Sequence, residues 1–233
     1  MKKPQFIENQ IYHVYNRGVE KRKTFMNNKD YFRFVHDMFE FNDRNPVANN
    51  FNYLKNQKTI EVRPRYNRPP RKLLVEILAF TLMPNHFHFI IKQCEKNGII
   101  KFMQKLGTGY TMYFNKKYER VGSLFQGKFK AVLIEKEAHF IHLPSYIHLN
   151  SLDLIDYRGR TSIGLENKME FLENYRWSSY LDYIGRKNFP SITLREQYLG
   201  FFGGEKGYKE EIERLLKEDK ETRFEEIKEF SLE

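Results

Sequence analysis

Two apolar runs separated by a Pro-Asn pair constrain this chain more than any other stretch. Residues 73–82 read Leu-Leu-Val-Glu-Ile-Leu-Ala-Phe-Thr-Leu, and after Met83-Pro84-Asn85 the chain returns as His-Phe-His-Phe-Ile-Ile-Lys-Gln over residues 86–93. The connection is short enough for an antiparallel hairpin. Strands this apolar are expected to be buried centrally in a sheet. Side chains at i and i+2 leave the same face of a strand, so His86 and His88 point one way and Phe87 and Phe89 the other. Two imidazoles on a backbone held by its ladder are a ready pair of nitrogen donors for a divalent metal. A bare His-x-His is also what two ordinary, partly exposed histidines would give, since histidine is intermediate in burial.

Composition narrows the classes. The 233 residues are 40% hydrophobic and 16% aromatic, enough for one good core with an appendage. A single cysteine, Cys94, excludes a disulfide framework and a zinc ribbon and fits a reducing cytoplasm. Neither a leader pattern nor a bilayer-length apolar segment is evident, so the expectation is a soluble cytoplasmic protein with no membrane partner. The net charge of +10 is unevenly spread. Residues 1–150 hold 26 Lys and Arg against 12 Asp and Glu, while residues 151–233 hold 14 against 18. The basic excess thus shares its part of the chain with the histidines. A basic surface attracts polyanions through counterion release, which makes nucleic acid the leading partner and the nucleoid the expected location.

In chain order, residues 11–19 read as a strand ending at Gly18, followed by a basic turn, Lys21-Arg22-Lys23. Asn28 is the expected cap of a helix running to about Asn42 on the face of Tyr31, Val35, Met38 and Phe39. Residues 43–72 carry six Asn, eight Lys or Arg and four Pro, the signature of an inserted basic loop, with a short hairpin expected around residues 59–62. A helix is expected over 99–117, weakened by Gly107 and Gly109. A strand follows over 128–134, with Lys128, Lys130 and Val132 on one face. Another helix spans 137 to about 152. The order β-α-loop-β-β-α-β-α predicts an α+β, ferredoxin-like (RRM-like) antiparallel sheet with helices on one face. The expected division is a domain over 1–155 and a mostly helical C-terminal extension over 156–233, with Trp177 in the core of that extension.

A metal pair beside a basic surface suggests phosphate chemistry. Neither a serine relay nor a cysteine–histidine pair is evident, whereas a tyrosine could attack a metal-bound phosphate. Tyr146 stands out among 15 tyrosines because Asn150 lies four residues later, on the same helix face. One face could then offer an attacking phenol and an oxygen ligand. Tyr12 and Tyr15 read as strand packing, and His139, His142 and His148 as decoration of one helix.

At this point the chain resembles a known family. His86-Phe87-His88 after Met83-Pro84-Asn85 resembles the HUH motif of single-tyrosine transposases, and more narrowly of the REP-associated tyrosine transposases. Tyr12-His13-Val14-Tyr15-Asn16-Arg17-Gly18 resembles their first strand. Phe102 to Leu106 with Tyr110 to Phe114 resembles the helix after the motif. Gly122 to Lys130 resembles the approach to the fourth strand. Ser145-Tyr146-Ile147-His148-Leu149-Asn150 resembles the catalytic helix, and Tyr175 to Tyr180 the segment after it. Any one motif is weak; five in the right order, over most of residues 6–185, are specific.

The resemblance implies an HUH endonuclease fold and a transposase that cuts and rejoins single-stranded DNA at hairpin-flanked repeats. In that reading Tyr146 forms a 5′-phosphotyrosine, and His86, His88 and Asn150 hold Mg²⁺ or Mn²⁺. Arg17, Lys21, Arg22, Lys23, Arg63, Arg65, Arg68, Lys128 and Lys130 are the expected DNA contacts. Monomer and homodimer are both compatible with it. Two departures stand out: Ser151 where the family usually has proline after the asparagine, and Pro144 two residues before Tyr146, which predicts a kink or a helix start. The competing readings are a non-catalytic single-strand-binding module and a water-using metal-dependent nuclease with a structural Tyr146.

Overall fold

The computed structural model describes residues 4–45, 70–155 and 163–218. Four strands, β1 (Ile11–Arg17), β2 (Val75–Met83), β3 (His86–Gln93) and β4 (Lys130–Leu133), form one antiparallel sheet in the order β2-β3-β1-β4. With α1 (Asn28–Glu40) between β1 and β2, and α2 (Gly98–Lys117) between β3 and β4, this is the ferredoxin-like order. The chain continues through α3 (Glu137–Leu149), a 3₁₀ turn over Asn150–Leu154, α4 (Leu165–Asn174), α5 (Tyr180–Tyr183), α6 (Glu196–Phe201) and α7 (Glu205–Lys217).

Local chemistry sets the element ends. Helix α1 is capped by Asn27, one residue earlier than expected. The Asn27 side chain accepts the Lys29 N–H at 3.1 Å, and the Asp30 carboxylate accepts the Asn27 N–H in return at 3.3 Å. After α1 the buried Asn42 side chain takes over as a clasp. Its amide donates to the Val75 carbonyl at 2.8 Å and its oxygen accepts the N–H groups of Leu74 and Val75 at 3.1 and 3.0 Å. The described end of α1 is thereby tied to the described start of β2. The hairpin expected at residues 59–62 lies outside the described residues. Gly109 does not break α2: a Cβ there would lie 2.4 Å from the Phe41 ring, so glycine permits a close contact with the end of α1.

The sheet has two covered faces. Tyr12, Val14, Phe80, Phe87 and Phe89 pack with Phe34 of α1 and Phe102, Leu106 and Tyr110 of α2. Trp177 joins this main core rather than a separate one, stacking on Tyr31 with ring centroids 4.5 Å apart. Helices lie on one face, as expected, only for α1 and α2. Leu78, Ala79 and Ile90 on the opposite face pack with Leu143 and Ile147 of α3 and with residues of α4 to α7. Alternation turns Ala79 and Ile90 to that side, and an irregularity in β2 adds Leu78 to them. Ile77 pairs with Ile91 but Ala79 pairs with Ile90, so Leu78 is an extra residue and the apolar pair Leu78–Ala79 faces α3.

The C-terminal segment also covers the open edge of β2. The Leu82 N–H donates to the Trp177 carbonyl at 2.8 Å, and the Ser179 N–H donates to the Phe80 carbonyl at 2.9 Å. Edge protection of this kind satisfies backbone groups that would otherwise pair with other chains. Pro144 does not split its helix, because α3 runs continuously from Glu137 to Leu149. The histidines of α3 are not surface decoration throughout: His139 and His148 are buried. Among the described residues no helix is long and apolar enough to cross a membrane.

Candidate active site

Strand β3 brings His86 and His88 together on the face that α3 covers. Their ring centroids are 5.1 Å apart, with His88 fully buried and His86 partly open. Each ring has one nitrogen engaged from behind. His86 Nδ1 lies 2.7 Å from Asn85 Oδ1. The Asn85 amide nitrogen donates to the Lys21 carbonyl at 3.2 Å, which fixes the oxygen toward the imidazole. An amide oxygen only accepts, so His86 carries its proton on Nδ1 and its lone pair on Nε2. His88 Nδ1 lies 2.9 Å from Nε2 of His13 on β1.

Electrostatics keep these rings neutral. Burial pushes His86 down to about 4, opposed by the carboxylate of Asp153 and reinforced by Arg17. Burial, with His13 and His86 nearby, holds His88 well below the ordinary histidine value, and burial alone takes His13 to about 3. Neutral imidazole is the form that binds metal.

Tyr146 and Asn150 share the end of α3, where the Asn150 N–H donates to the Tyr146 carbonyl. The Tyr146 ring is half-buried against the apolar cluster that joins α3 to α7 and to Leu78, Ala79 and Ile90 of the sheet. Asn150 Nδ2 is buried with no hydrogen-bond partner among the described residues. Rotating the amide by half a turn would place its oxygen at the same position, so Asn150 carries an uncommitted polar atom in either assignment. Among the described residues no group of three or more His, Cys, Asp or Glu is gathered to hold an ion. His86 and His88 are two adjacent neutral imidazoles, donors of the kind a divalent cation accepts, and Asn150 holds an uncommitted amide.

Sequence reasoning missed two residues here. His13 contacts His88 diagonally across the β1–β3 ladder, a neighbour visible only once the register is known. Asp153 lies three residues after Asn150 in a 3₁₀ turn, where i and i+3 are aligned, and its charge acts on His86.

The expected basic contacts divide into groups. Arg17 is paired across the ladder with His86 and donates from Nε to Gln126 at 2.6 Å. Lys21, Arg22 and Lys23 sit over the β2–β3 turn, to which they are tied through Asn85 and through Pro84, whose carbonyl accepts the N–H of Thr24 at 2.8 Å. Gly18 lets this basic turn close tightly, since a Cβ there would lie 2.2 Å from the Arg22 carbonyl oxygen. Lys130 is exposed, paired with Tyr15, which in turn pairs with His88. Lys128 does not share that face. Strand β4 begins only at Lys130, and Lys128 borders a groove of about 740 Å³ between α2 and residues 123–129, on the other side of the sheet. Arg63, Arg65 and Arg68 lie outside the described residues.

Residues 70–150 match the family model described as transposase, IS200 like, a span that includes His86, His88, Tyr146 and Asn150. No curated protein shows significant sequence similarity to the chain. Among solved structures, a REP-associated tyrosine transposase bound to a REP hairpin is similar at 10% identity and a TM-score of 0.47, covering 80% of this chain and 86% of that one. A tRNA(His) guanylyltransferase from Saccharomyces cerevisiae is similar at 10% identity and a TM-score of 0.34, covering 74% of each.

Proposed function

With residues 70–150 matching the IS200-like transposases, we propose that this protein cuts and rejoins single-stranded DNA at hairpin-flanked repeat sites, using Tyr146 as the nucleophile. The observation that carries the reading is the His86–His88 pair: two adjacent neutral imidazoles on the face crossed by the helix of Tyr146 and Asn150.

The phenol oxygen of Tyr146 attacks the scissile phosphorus and gives up its proton. The bond from phosphorus to the 3′ oxygen breaks, and that oxygen leaves as a 3′-hydroxyl after taking a proton. The product is a 5′-phosphotyrosine. Attack on it by another 3′-hydroxyl reverses the chemistry and joins strands without a nucleotide cofactor. His86, His88 and Asn150 would hold Mg²⁺ or Mn²⁺, which supplies Lewis-acid polarisation of the phosphate. Arg17 and Lys130, flanking the histidines, orient the backbone of the strand.

The test is a covalent trap. Protein, Mg²⁺ and a labelled single-stranded hairpin substrate are expected to give an adduct that survives denaturation and is absent with Tyr146→Phe. Cleavage that persists in Tyr146→Phe would assign a water-using nuclease. Salt-sensitive binding with no cleavage by the native protein would assign a binding module.

A further inference from the structure

We propose that His13 is a positioning residue that selects the metal-binding tautomer of His88; this rests on reading His86 and His88 as a ligand pair. His13 lies on β1, a central strand, where it is paired with Ile90 of β3 on one side and Val132 of β4 on the other. Both ladders fix its backbone, and its side chain is fully buried. Its Nε2 is 2.9 Å from His88 Nδ1, and the Tyr15 ring, 5.0 Å from His13 and 5.8 Å from His88, packs beside both.

Two neutral imidazoles can share this hydrogen bond in two ways. When His88 Nδ1–H donates to His13 Nε2, the His13 proton sits on Nδ1 and the His88 lone pair sits on Nε2. When His13 Nε2–H donates to His88 Nδ1, the His88 proton moves to Nε2 and blocks it. The pair therefore switches as a unit, and only the first arrangement leaves His88 able to ligate. His86 has no such choice, because its partner is an amide oxygen that only accepts. Binding a cation selects the first arrangement, and His13 supplies the acceptor that makes it complete. Partners of this kind orient a ligating histidine and typically change metal affinity by about 10–100-fold.

The test is Mn²⁺ affinity by calorimetry on the full chain, with long-range ¹H–¹⁵N spectra of the Mg²⁺-saturated protein to locate the His88 proton. His13→Leu is expected to weaken Mn²⁺ by about 10–100-fold. His13→Gln, whose amide oxygen reaches the position of Nε2, is expected to recover most of the loss; should the leucine variant fail to fold, the position of the His88 proton in the loaded native protein decides alone. The native spectrum is expected to show the His88 proton on Nδ1. Native affinity in His13→Leu, or a His88 proton on Nε2 in the loaded protein, overturns the proposal. If His86→Ala also leaves Mn²⁺ affinity unchanged, the ligand pair itself is wrong and His13 falls with it. If His86→Ala abolishes binding while His13→Leu does not alter it, only the positioning role is lost.

Discussion

His148, two residues beyond Tyr146 on α3, lies with its Nε2 2.7 Å from the hydroxyl of Ser179. Ser179 Oγ also accepts the Phe80 N–H of β2 at 2.9 Å, and His148 Nδ1 reaches the Tyr208 hydroxyl of α7 at 2.6 Å. The ring is fully buried, and burial pushes its pKa down to about 3, so it bridges as a neutral imidazole. One side chain thus joins the helix of the proposed nucleophile to the sheet and to the last described helix.

Breaking that bridge should loosen α3 before it unfolds the protein. Ser179→Ala leaves a buried imidazole nitrogen and a backbone N–H without their partner, a loss of about 1–3 kcal/mol. Denaturant unfolding is expected to show that loss. Adduct formation at saturating DNA is expected to slow while DNA affinity holds, since the basic contacts lie on other elements. Equal losses in affinity and in adduct rate would make the bridge a matter of stability alone.

Asp30 gives a prediction with a pH sign. Its fully buried carboxylate accepts from Lys117, Tyr113 and Tyr118 and from the Met26 N–H, joining the start of α1 to the end of α2. Burial alone would raise its pKa, but the bonds from Lys117, Tyr118, Met26 and Tyr113 outweigh it and hold the group below the ordinary carboxylate value. A depressed folded value means the stabilisation is complete above about pH 4 and is lost as pH falls through the folded pKa. Asp30→Asn leaves the partly exposed Lys117 facing a neutral group and is expected to cost about 1.5–3 kcal/mol at pH 7. Unfolding midpoints between pH 3 and 7 check both points: the native protein should weaken at the acid end and the variant should be flatter.

How much of this was legible in the sequence differs by element. The β2–β3 hairpin and the opposed faces of His86–His88 and Phe87–Phe89 followed from alternation and a Pro-Asn turn, because strand periodicity is a local property. The capping of α1 was legible to within one residue for the same reason. The His13–His88 contact was not, since it needs the register of two strands 75 positions apart in sequence. Nor was the burial of His148. Its partners, Ser179 and Tyr208, come from a polar segment whose own pattern shows helices but not what they cover. The extra residue Leu78 was hidden because a continuous apolar run does not reveal which positions share a face.

Trp177 tests how far the core crosses from the sheet into the C-terminal segment. Its ring stacks on Tyr31 at 4.5 Å, meets Phe32 edge-on at 5.0 Å, and lies under the Arg176 guanidinium at 5.3 Å. Its carbonyl accepts the Leu82 N–H at the edge of β2. Trp177→Ala is expected to cost about 3–5 kcal/mol. Because the cavity opens in the main core, near-ultraviolet circular dichroism and far-ultraviolet signals should lose their midpoints together. A variant in which only the signal of the C-terminal helices shifts would show that the two parts fold separately.

The basic turn over the β2–β3 connection is expected to read the DNA backbone, not its bases. Lys21 and Lys23 are exposed, and the turn is anchored to Asn85, the neighbour of His86. Each phosphate contact to a single strand contributes roughly 0.7 to the slope of log affinity against log salt. Replacing Lys21 and Lys23 together with alanine should therefore flatten that slope by about 1.4 and weaken binding to the same degree for unrelated sequences. The adduct rate at saturating DNA should stay native, since neither side chain belongs to the histidine pair or to α3. An unchanged slope would remove this turn from the DNA path. A change confined to one substrate sequence would instead mean that these lysines touch base edges.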